Sequence, residues 1–159
     1  MVQFHNRPSV SDMRAMKARR EKISMLYVST LEEAAAADAA GIHMLSIEGR
    51  FFSPEMRAAA GRCFMQVGLP FGGWSRFNGE FLATAEDYLR AAFHVMGLGA
   101  DCIYCSASYD IQKALCDNHI PIVARVGLIP SYVTWTGWRG VGKTAFEARE
   151  VWDHVKKLE

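Results

Sequence analysis

Short runs of apolar residues alternate along the chain with longer segments in which alanine is frequent and apolar positions recur with helical period. Each run is apolar almost throughout, as is typical of a strand buried on both faces of a parallel sheet. The alternation predicts an α/β protein built from five strand–helix units. The predicted strands are residues 22–28, 43–47, 63–67, 102–106 and 121–126.

Cap residues indicate where the helices begin. A Ser or Thr followed three residues later by an acid can satisfy two free backbone N–H groups at a helix start. Ser53 followed by Pro54 is a second start pattern, because the missing N–H of proline is harmless at the first helical position. The acid-paired cap residues are Thr30 with Glu33, Thr84 with Asp87, and Thr144 with Glu147.

Two architectures accommodate five parallel units. A five-stranded doubly wound sheet fits the length of 159 residues without remainder. A (β/α)8 TIM-type barrel typically needs about 250 residues, so the chain would supply only its first five units. The long segment 71–82 follows the carboxyl end of the third strand, where α/β proteins place binding loops. In this segment, Trp74, Phe77 and Phe81 are candidates for a hydrophobic lid or a subunit contact.

Composition and charge narrow the class of protein. With 50% hydrophobic and 22% charged residues, the chain is expected to form one globular domain. The net charge of +1 gives no electrostatic reason to expect nucleic acid as a partner. No window approaches the roughly 18 uninterrupted apolar residues of a membrane-spanning helix, and the amino terminus has no secretory pattern. A soluble, cytoplasmic protein is therefore expected.

The four cysteines are expected to be reduced thiols in the core. A chain of this size rarely needs a disulfide framework, and all four cysteines lie in apolar surroundings. Cys102 and Cys105 have the spacing of a redox or zinc pair, but residues three apart on a strand point to opposite faces.

Residues 137–144 formally match a glycine-rich phosphate loop, in which backbone N–H groups and a lysine hold the phosphates of a nucleotide. Few residues follow Thr144, which leaves no room for the later strands of a nucleotide hydrolase. Thr144 as a helix cap with Glu147 is the simpler interpretation.

Several short motifs flank the predicted strands. Leu69-Pro70-Phe71 follows the third strand, and Gly99-Ala100 precedes the fourth. The fifth strand leads into Gly127-Leu128-Ile129-Pro130, and a glycine-rich turn then ends in Gly142-Lys143-Thr144. In their order and spacing, these motifs resemble the ketopantoate hydroxymethyltransferase family, which is related to the phosphoenolpyruvate mutase and isocitrate lyase superfamily. The resemblance extends over nearly the whole chain and favours the barrel.

The resemblance implies an enzyme of pantothenate biosynthesis that uses Mg²⁺ and methylenetetrahydrofolate. In this family the metal holds an α-keto acid, 3-methyl-2-oxobutanoate, through its carboxylate and carbonyl oxygens. Removal of a proton gives an enolate, whose carbon takes up the one-carbon unit and completes a hydroxymethyl transfer. Such a site needs hard oxygen ligands for Mg²⁺, a Lewis acid at the enolate oxygen and a carboxylate base.

This sequence departs from the family pattern at the active-site positions. Gly49 and Gly68 stand where the resemblance places the two metal-binding aspartates, and Glu48, next to the first, is the remaining candidate metal ligand. Tyr104 and Ser106 replace the lysine and glutamate of the family and are the candidate catalytic residues. The segment between Gly49 and Gly68 is also shorter than in the family.

Arg125 and Ser108 are the candidate substrate-binding residues. Arg125 stands at the position of a family histidine, and a guanidinium there can bind a substrate carboxylate through two parallel hydrogen bonds. Ser108 follows the fourth strand, at the end where barrel chemistry converges. Structural alternatives are a buried ion pair between Glu48 and Arg125, or a helix cap at Glu48.

Two functions are compatible with these residues. The first is hydroxymethyl transfer, or a related carbon–carbon bond reaction on another α-keto or α-hydroxy acid. The second, suggested by the missing carboxylates, is a catalytically inactive relative that binds a metabolite or oligomerises. Five parallel strands cannot close an eight-stranded barrel and would leave a sheet edge exposed. The chain is therefore expected either to be part of a longer polypeptide or to associate as a homo-oligomer.

Overall fold

Five β-strands and seven α-helices alternate in the computed structural model, which describes residues 7–70 and 76–159. The strands are β1 Met25–Tyr27, β2 Met44–Glu48, β3 Phe64–Gly68, β4 Cys102–Cys105 and β5 Ile122–Ala124. The helices are α1 Val10–Ala18, α2 Leu31–Ala39, α3 Pro54–Ala59, α4 Ala85–Gly97, α5 Tyr109–Asp117, α6 Val133–Thr136 and α7 Ala145–Leu158. Single turns of 3-10 helix span Gly49–Phe51 and Pro130–Tyr132.

The five strands form one parallel sheet in the order β1-β2-β3-β4-β5. The predicted α/β architecture and all five predicted strands are confirmed. The two edge strands differ most from their predicted bounds, since residues 22–28 and 121–126 contribute only three strand residues each. An edge strand has a neighbour on one side only, so fewer of its residues are held in the hydrogen-bond ladder.

The hydrophobic core lies against one face of this sheet. The opposite face, called the open face below, carries Tyr27, Ser46, Glu48, Gln66 and Tyr104. Most of these side chains are partly exposed, so the expectation of strands buried on both faces is confirmed for β3 and wrong for β1, β2 and β5. Buried core residues from the sheet and from helices α2–α5 include Leu45, Ile47, Met65, Val67, Ile103, Ala34, Ala37, Met56, Tyr88, Ala92, Val95 and Leu115.

The helices begin at the predicted cap residues. Thr30 and Thr84 each form a complete capping box, in which the hydroxyl accepts from a backbone N–H and the acid three residues on accepts from the cap N–H. Ser53 caps α3, with Pro54 at its first position. Thr144 caps α7 through its hydroxyl alone. None of the described helices combines the length and apolar character needed to cross a membrane.

A buried ionic network lies at the amino ends of β3 and β4. Asp101 Oδ2 accepts from the backbone N–H of Met65 at 2.8 Å and from Arg57 Nη1 at 3.3 Å, and Oδ1 lies 3.0 Å from Arg7 Nη2. Arg57 also donates to the carbonyls of Gly61 and Cys63. Burial raises the pKa of Asp101. This end of a parallel sheet lies away from the ligand end, so the network is an anchor for the fold.

Three of the four cysteines are buried free thiols, whereas Cys116 is exposed on α5, against expectation. Cys105 packs in the core, and the strand alternation points Cys102 to the open face. Burial raises the pKa of Cys102 to about 12 and that of Cys105 to about 11. Neither is a reactive thiolate near neutral pH.

Candidate functional site

A row of open-face residues crosses the carboxyl ends of the strands. The register pairs Glu48 of β2 with Gly68 of β3, and Gly68 with Tyr104 of β4. Arg125 directly follows β5 next to this row. Because neighbouring parallel strands lie about 4.8 Å apart, these residues extend over about 14 Å from β2 to β5, at the end where parallel α/β proteins bind ligands. Glu48, Gly68, Tyr104 and Arg125 are called the open-face row below.

The carboxylate of Glu48 is held by its near neighbours. Its Oε2 lies 2.7 Å from Arg50 Nε, and its Oε1 accepts from the Tyr27 hydroxyl at 3.3 Å. The 3-10 turn that follows β2 folds Arg50 back over Glu48, because only one residue separates the two. The alternative of a buried Glu48–Arg125 pair is therefore wrong, and the Glu48 side chain is 46% exposed. Burial, followed by the charge of Glu48, raises the pKa of Tyr27.

The two glycines of the expected metal site have different surroundings. A Cβ at Gly68 would lie 3.6 Å from Tyr104 Cδ1, which is ordinary contact. A Cβ at Gly49 would lie 3.1 Å from the Gly68 carbonyl oxygen and 3.1 Å from Phe77 Cε2. Phe77, of which only 6% is exposed, therefore fills the space that a side chain at Gly49 would need.

The donors at these strand ends do not fit a resident Mg²⁺ ion. Mg²⁺ prefers octahedral oxygen ligands and is usually held by one or two carboxylates together with its substrate. Within residues 7–70 and 76–159, no group of three His, Cys, Asp or Glu side chains is placed to hold a metal. Glu48 is the acidic member of the open-face row, and Arg50 already neutralises it. Glu48 as a metal ligand stays a prediction.

Tyr104 and Arg125 have side chains that are available to a ligand. Both are partly exposed, and the Tyr104 ring lies against Gly68. Arg125 has no ion pair with the described residues, whereas many of the chain's other arginines are paired with acids. A guanidinium without such a partner next to the open-face row suits a carboxylate ligand.

Ser106 and Ser108 line a cavity of about 430 Å³ beside the start of α5. Its lining includes three serines, Ser106, Ser108 and Ser131. This cavity, called the rim cavity below, also has apolar walls from Leu82, Tyr88 and Ile111. Ser106 also lies beside Arg125, because the residues before them, Cys105 and Ala124, are paired in the sheet, so the rim cavity adjoins the β5 end of the open-face row.

Phe77 and Phe81, two of the three aromatic residues of the predicted lid, lie in different surroundings. Phe77 is buried against Gly49 and lies edge-to-face on His94, with 5.9 Å between ring centroids, whereas Phe81 is half-exposed at the rim cavity. Trp74 lies outside the described residues. Sequence reasoning missed Phe77 as a filler of the site and Ser131 as a cavity residue. No local pattern marks either one, because both act on parts of the chain distant in sequence.

The glycine-rich segment 137–144 is paired with a carboxylate of the following helix. Glu147 Oε2 accepts from the backbone N–H of Lys143 at 3.1 Å, and its Oε1 lies 2.6 Å from Arg139 Nη2. Arg139 lowers the pKa of the Glu147 carboxyl. A carboxylate therefore stands at the start of α7, where a phosphate would have to bind.

Comparison with known proteins finds distant relatives that share the same name. The 3-methyl-2-oxobutanoate hydroxymethyltransferase of Thermococcus kodakarensis is 26% identical in an alignment 164 positions long, which covers 88% of this chain and 55% of the relative. The enzyme of the same name from Lysinibacillus sphaericus is 27% identical, with 95% of this chain and 61% of the relative covered. That of Hyperthermus butylicus is 28% identical, with 90% and 56% covered.

No family model matches the chain. The chain spans little more than half the length of these curated relatives. Over most of its own length it is nevertheless similar, at 26–28% identity, to enzymes named 3-methyl-2-oxobutanoate hydroxymethyltransferase.

Proposed function

We propose that the chain forms the first five units of a barrel-type transferase related to ketopantoate hydroxymethyltransferase, and that it binds an α-keto acid at the open-face row. The observation that carries the proposal is the alignment of 88–95% of the chain with enzymes of that name. The proposed reaction adds a hydroxymethyl group, derived from methylenetetrahydrofolate, to 3-methyl-2-oxobutanoate.

Strand order and helix placement support the barrel. A doubly wound sheet reverses its strand order at a switch point and carries helices on both faces. In this chain the order runs from β1 to β5 without reversal, and the core-forming helices α2–α5 lie on one face. Strand–helix–strand crossovers are right-handed. Units that are wound in one direction therefore place their helices on one side, as they do in a barrel.

Side chains of the open-face row supply the proposed chemistry. Arg125 binds the carboxylate of the keto acid, because its guanidinium lacks an acidic partner among the described residues. The Tyr104 hydroxyl donates to the keto oxygen, where negative charge develops as a proton leaves. Glu48 accepts that proton from the carbon next to the keto group.

Water adds to the methylene carbon of methylenetetrahydrofolate, and both carbon–nitrogen bonds of that carbon break, so that formaldehyde is released and each nitrogen takes up one proton of the water. The enolate carbon then bonds to the carbon of formaldehyde, and the resulting alkoxide takes up the proton held by Glu48 to give the hydroxymethyl group. No step is assigned to Mg²⁺, because the strand-end donors do not fit a resident ion.

Product formation by the purified chain tests the proposal. The chain is incubated with 3-methyl-2-oxobutanoate and methylenetetrahydrofolate, with and without Mg²⁺, and ketopantoate is measured. Arg125→Gln should raise the KM for the keto acid about 10- to 100-fold, and Tyr104→Phe should lower kcat about 100-fold or more. Arg14→Gln, a change of the same type on the exposed face of α1, should leave both constants unchanged. Absence of ketopantoate under all conditions contradicts the transferase proposal.

A second candidate is a relative that binds the keto acid without transferring a carbon unit. The filling of the Gly49 site by Phe77 favours it, because that space cannot also hold a metal-binding side chain. Calorimetric titration with 3-methyl-2-oxobutanoate separates the two functions. Binding that Arg125→Gln weakens, without any ketopantoate formed, supports this second candidate, whereas product formation rules it out.

We also propose that the chain associates as a homo-oligomer. The edge strand β1 presents Met25, Leu26 and Tyr27, each about half-exposed, and unpaired edge groups of a parallel sheet readily pair with another chain. Multi-angle light scattering at several concentrations should give a mass above 17.7 kDa. A well-folded monomer at all concentrations contradicts this part of the proposal.

A further inference from the structure

Two free edges bound the parallel sheet. Among the described strands, β1 pairs only with β2, and β5 pairs only with β4. Apolar side chains are exposed at both edges: Met25, Leu26 and Tyr27 of β1 are 47–57% exposed, and Val123 of β5 is 39% exposed. Unpaired edges of this kind readily pair with a strand of another chain.

The exposed side chains of β1 lie on both faces of the sheet. Leu26 is the register partner of Leu45, a fully buried core residue, so Leu26 points to the face that the helices cover. Its exposure of 47% shows that the helix layer stops short of β1. Met25 and Tyr27 point to the open face, because side chains alternate along a strand.

Helix α7 is left without a second strand to cover. In a parallel strand–helix–strand unit, the helix packs back on the strands that it connects. Helices α2–α5 connect the strands of the sheet and bury residues against them, whereas every residue of α7 is at least partly exposed. Phe146 is 72% and Trp152 is 58% exposed. Helix α7 lies beside α5, since Lys157 Nζ is 5.9 Å from the ring centroid of Tyr109.

We propose that two copies of this chain join edge to edge, with β5 of each copy paired in parallel with β1 of the other, and so close a ten-stranded barrel. Helix α7 then covers the junction and packs on Leu26 of the partner subunit. This inference rests on the homo-oligomer proposed above and specifies its arrangement. A head-to-tail contact closes into a ring when repeated rotation returns to the first copy. Two copies close the ring if each strand turns by about 36°, compared with about 45° in an eight-stranded barrel.

A second copy fits the junction because it supplies each missing part. The β5 edge lacks a neighbouring strand, α7 lacks a second strand, and β1 lacks a helix over Leu26 among the described residues. Another β1 edge and another α7 provide all three. One chain cannot provide them for itself, because a barrel of about eight strands is only just wide enough for the side chains inside it.

Closure also completes the open-face row. In one copy the row ends at Arg125, which follows the edge strand β5 and is partly exposed. In the closed barrel, the next strand beyond β5 brings Tyr27 of the partner subunit to this end of the row, and the open faces of both copies line a common interior. A ligand at Arg125 is therefore enclosed by both copies.

Cross-linking of cysteine variants tests the arrangement. Met25→Cys and Val123→Cys, each combined with Cys116→Ser to remove the exposed native thiol, are treated with a short bismaleimide, both separately and after co-expression. We expect cross-linked dimers only after co-expression, because β1 of one copy meets β5 of the other. Phe93→Cys in the same background, on the exposed side of α4, is the control and should not cross-link in any combination. Cross-linking of either edge variant with itself, or none after co-expression, overturns the inference.

The combination of Met25→Cys and Val123→Cys in one chain separates a closed ring from an open chain of copies. A closed ring gives one cross-linked species of twice 17.7 kDa. An open head-to-tail chain gives a ladder of larger species, and that result overturns the inference.

Leu26→Glu and Trp152→Glu probe the two sides of the junction. Each should raise the dissociation constant of the dimer by about tenfold or more in light scattering over a dilution series, without a change in the far-UV circular dichroism spectrum. Phe93→Glu is the matched control and should leave the dimer intact. A monomer of the unsubstituted chain at all concentrations overturns the homo-oligomer and this inference together, whereas cross-links between like edges overturn the arrangement alone. Transferase activity enters none of these measurements, so its failure is distinguishable from both.

Discussion

Replacement of Gly68 by Asp tests whether the open-face row lacks a metal site because it lacks a second carboxylate. A Cβ at Gly68 would lie 3.5 Å from the Ile47 carbonyl oxygen and 3.6 Å from Tyr104 Cδ1, so the new side chain fits without displacement. Glu48 is the register partner of Gly68. The variant would therefore place two carboxylates on neighbouring strands, about 5 Å apart at the backbone.

The expected magnitude follows from charge and metal binding. Two like charges about 5 Å apart repel by about 1–3 kcal/mol at effective dielectric constants of about 20–80. Replacement of a glycine within a strand stabilises the fold by about 0.5–1 kcal/mol, because glycine loses more conformational freedom on folding, and this offsets part of the repulsion. If Mg²⁺ is present at about 100 times its Kd, binding adds about 2.7 kcal/mol to the free energy of unfolding. In a chain of this size, that corresponds to a rise in Tm of about 5–10 °C.

Thermal unfolding with and without Mg²⁺ measures the effect. We expect Gly68→Asp to unfold at a slightly lower temperature than the wild type without Mg²⁺, and to gain the full shift when Mg²⁺ is added. Gly97→Asp is the control, because a Cβ at Gly97 meets nothing within 4 Å and lies on α4. The reasoning is refuted if Mg²⁺ raises the Tm of the wild type as much as that of Gly68→Asp.

Four further outcomes follow from the described contacts. Asp101→Ala should lower the free energy of unfolding by about 3–5 kcal/mol in urea denaturation, because it removes the carboxylate that compensates two buried guanidinium groups. Gly49→Asp should lower it by about 1–3 kcal/mol through overpacking against Phe77, measured in the same way. The hydrogen bonds from Thr84 lower the pKa of Asp87, so the ionised carboxylate stabilises the fold at pH values above its ordinary pKa of 3.8. This stabilisation is lost as the pH falls through the lowered pKa. In acid titrations followed by circular dichroism, Asp87→Asn should therefore lose less stability than the wild type. Iodoacetamide at pH 8 should label Cys116 and leave the buried cysteines unlabelled until the chain unfolds, as read by mass spectrometry.

Local features of the sequence predicted most of the fold because they act within a few residues. The caps at Thr30 and Thr84 depend on acids three residues away, and the structure forms both capping boxes. The strands were found from apolar runs, but the same runs could not tell which face would meet helices. The face that the helices cover depends on the direction in which successive strand–helix units are added, and this direction is visible in the strand order of the sheet but not in the apolar runs.

The candidate site was harder to predict because its contacts join distant or unpatterned positions. The sequence suggests either a metal or Arg125 as the partner of Glu48; the structure pairs it with Arg50 through a local turn, and metal binding by Glu48 stays a prediction. Phe77 was expected in a lid, and its ring is buried against Gly49. The rim cavity joins three segments that are distant in sequence, 81–88, 106–111 and 131, so no sequence pattern marks Ser131.

Some polar side chains at the carboxyl ends of the strands have partners within the structure and others have none, and this difference indicates where a ligand would bind. At the β2 and β3 end of the open-face row, Glu48 is neutralised by Arg50, and Phe77 fills the space beside Gly49. At the β4 and β5 end, the hydroxyl of Ser106 has no hydrogen-bond partner and Arg125 has no acidic partner among the described residues. These two residues directly follow Cys105 and Ala124, which are paired in the sheet, so they lie side by side on neighbouring strands. A ligand that supplies negative charge at this end would satisfy both, and for that reason Arg125 and Ser106, rather than Glu48, are the positions at which substitution should affect binding most.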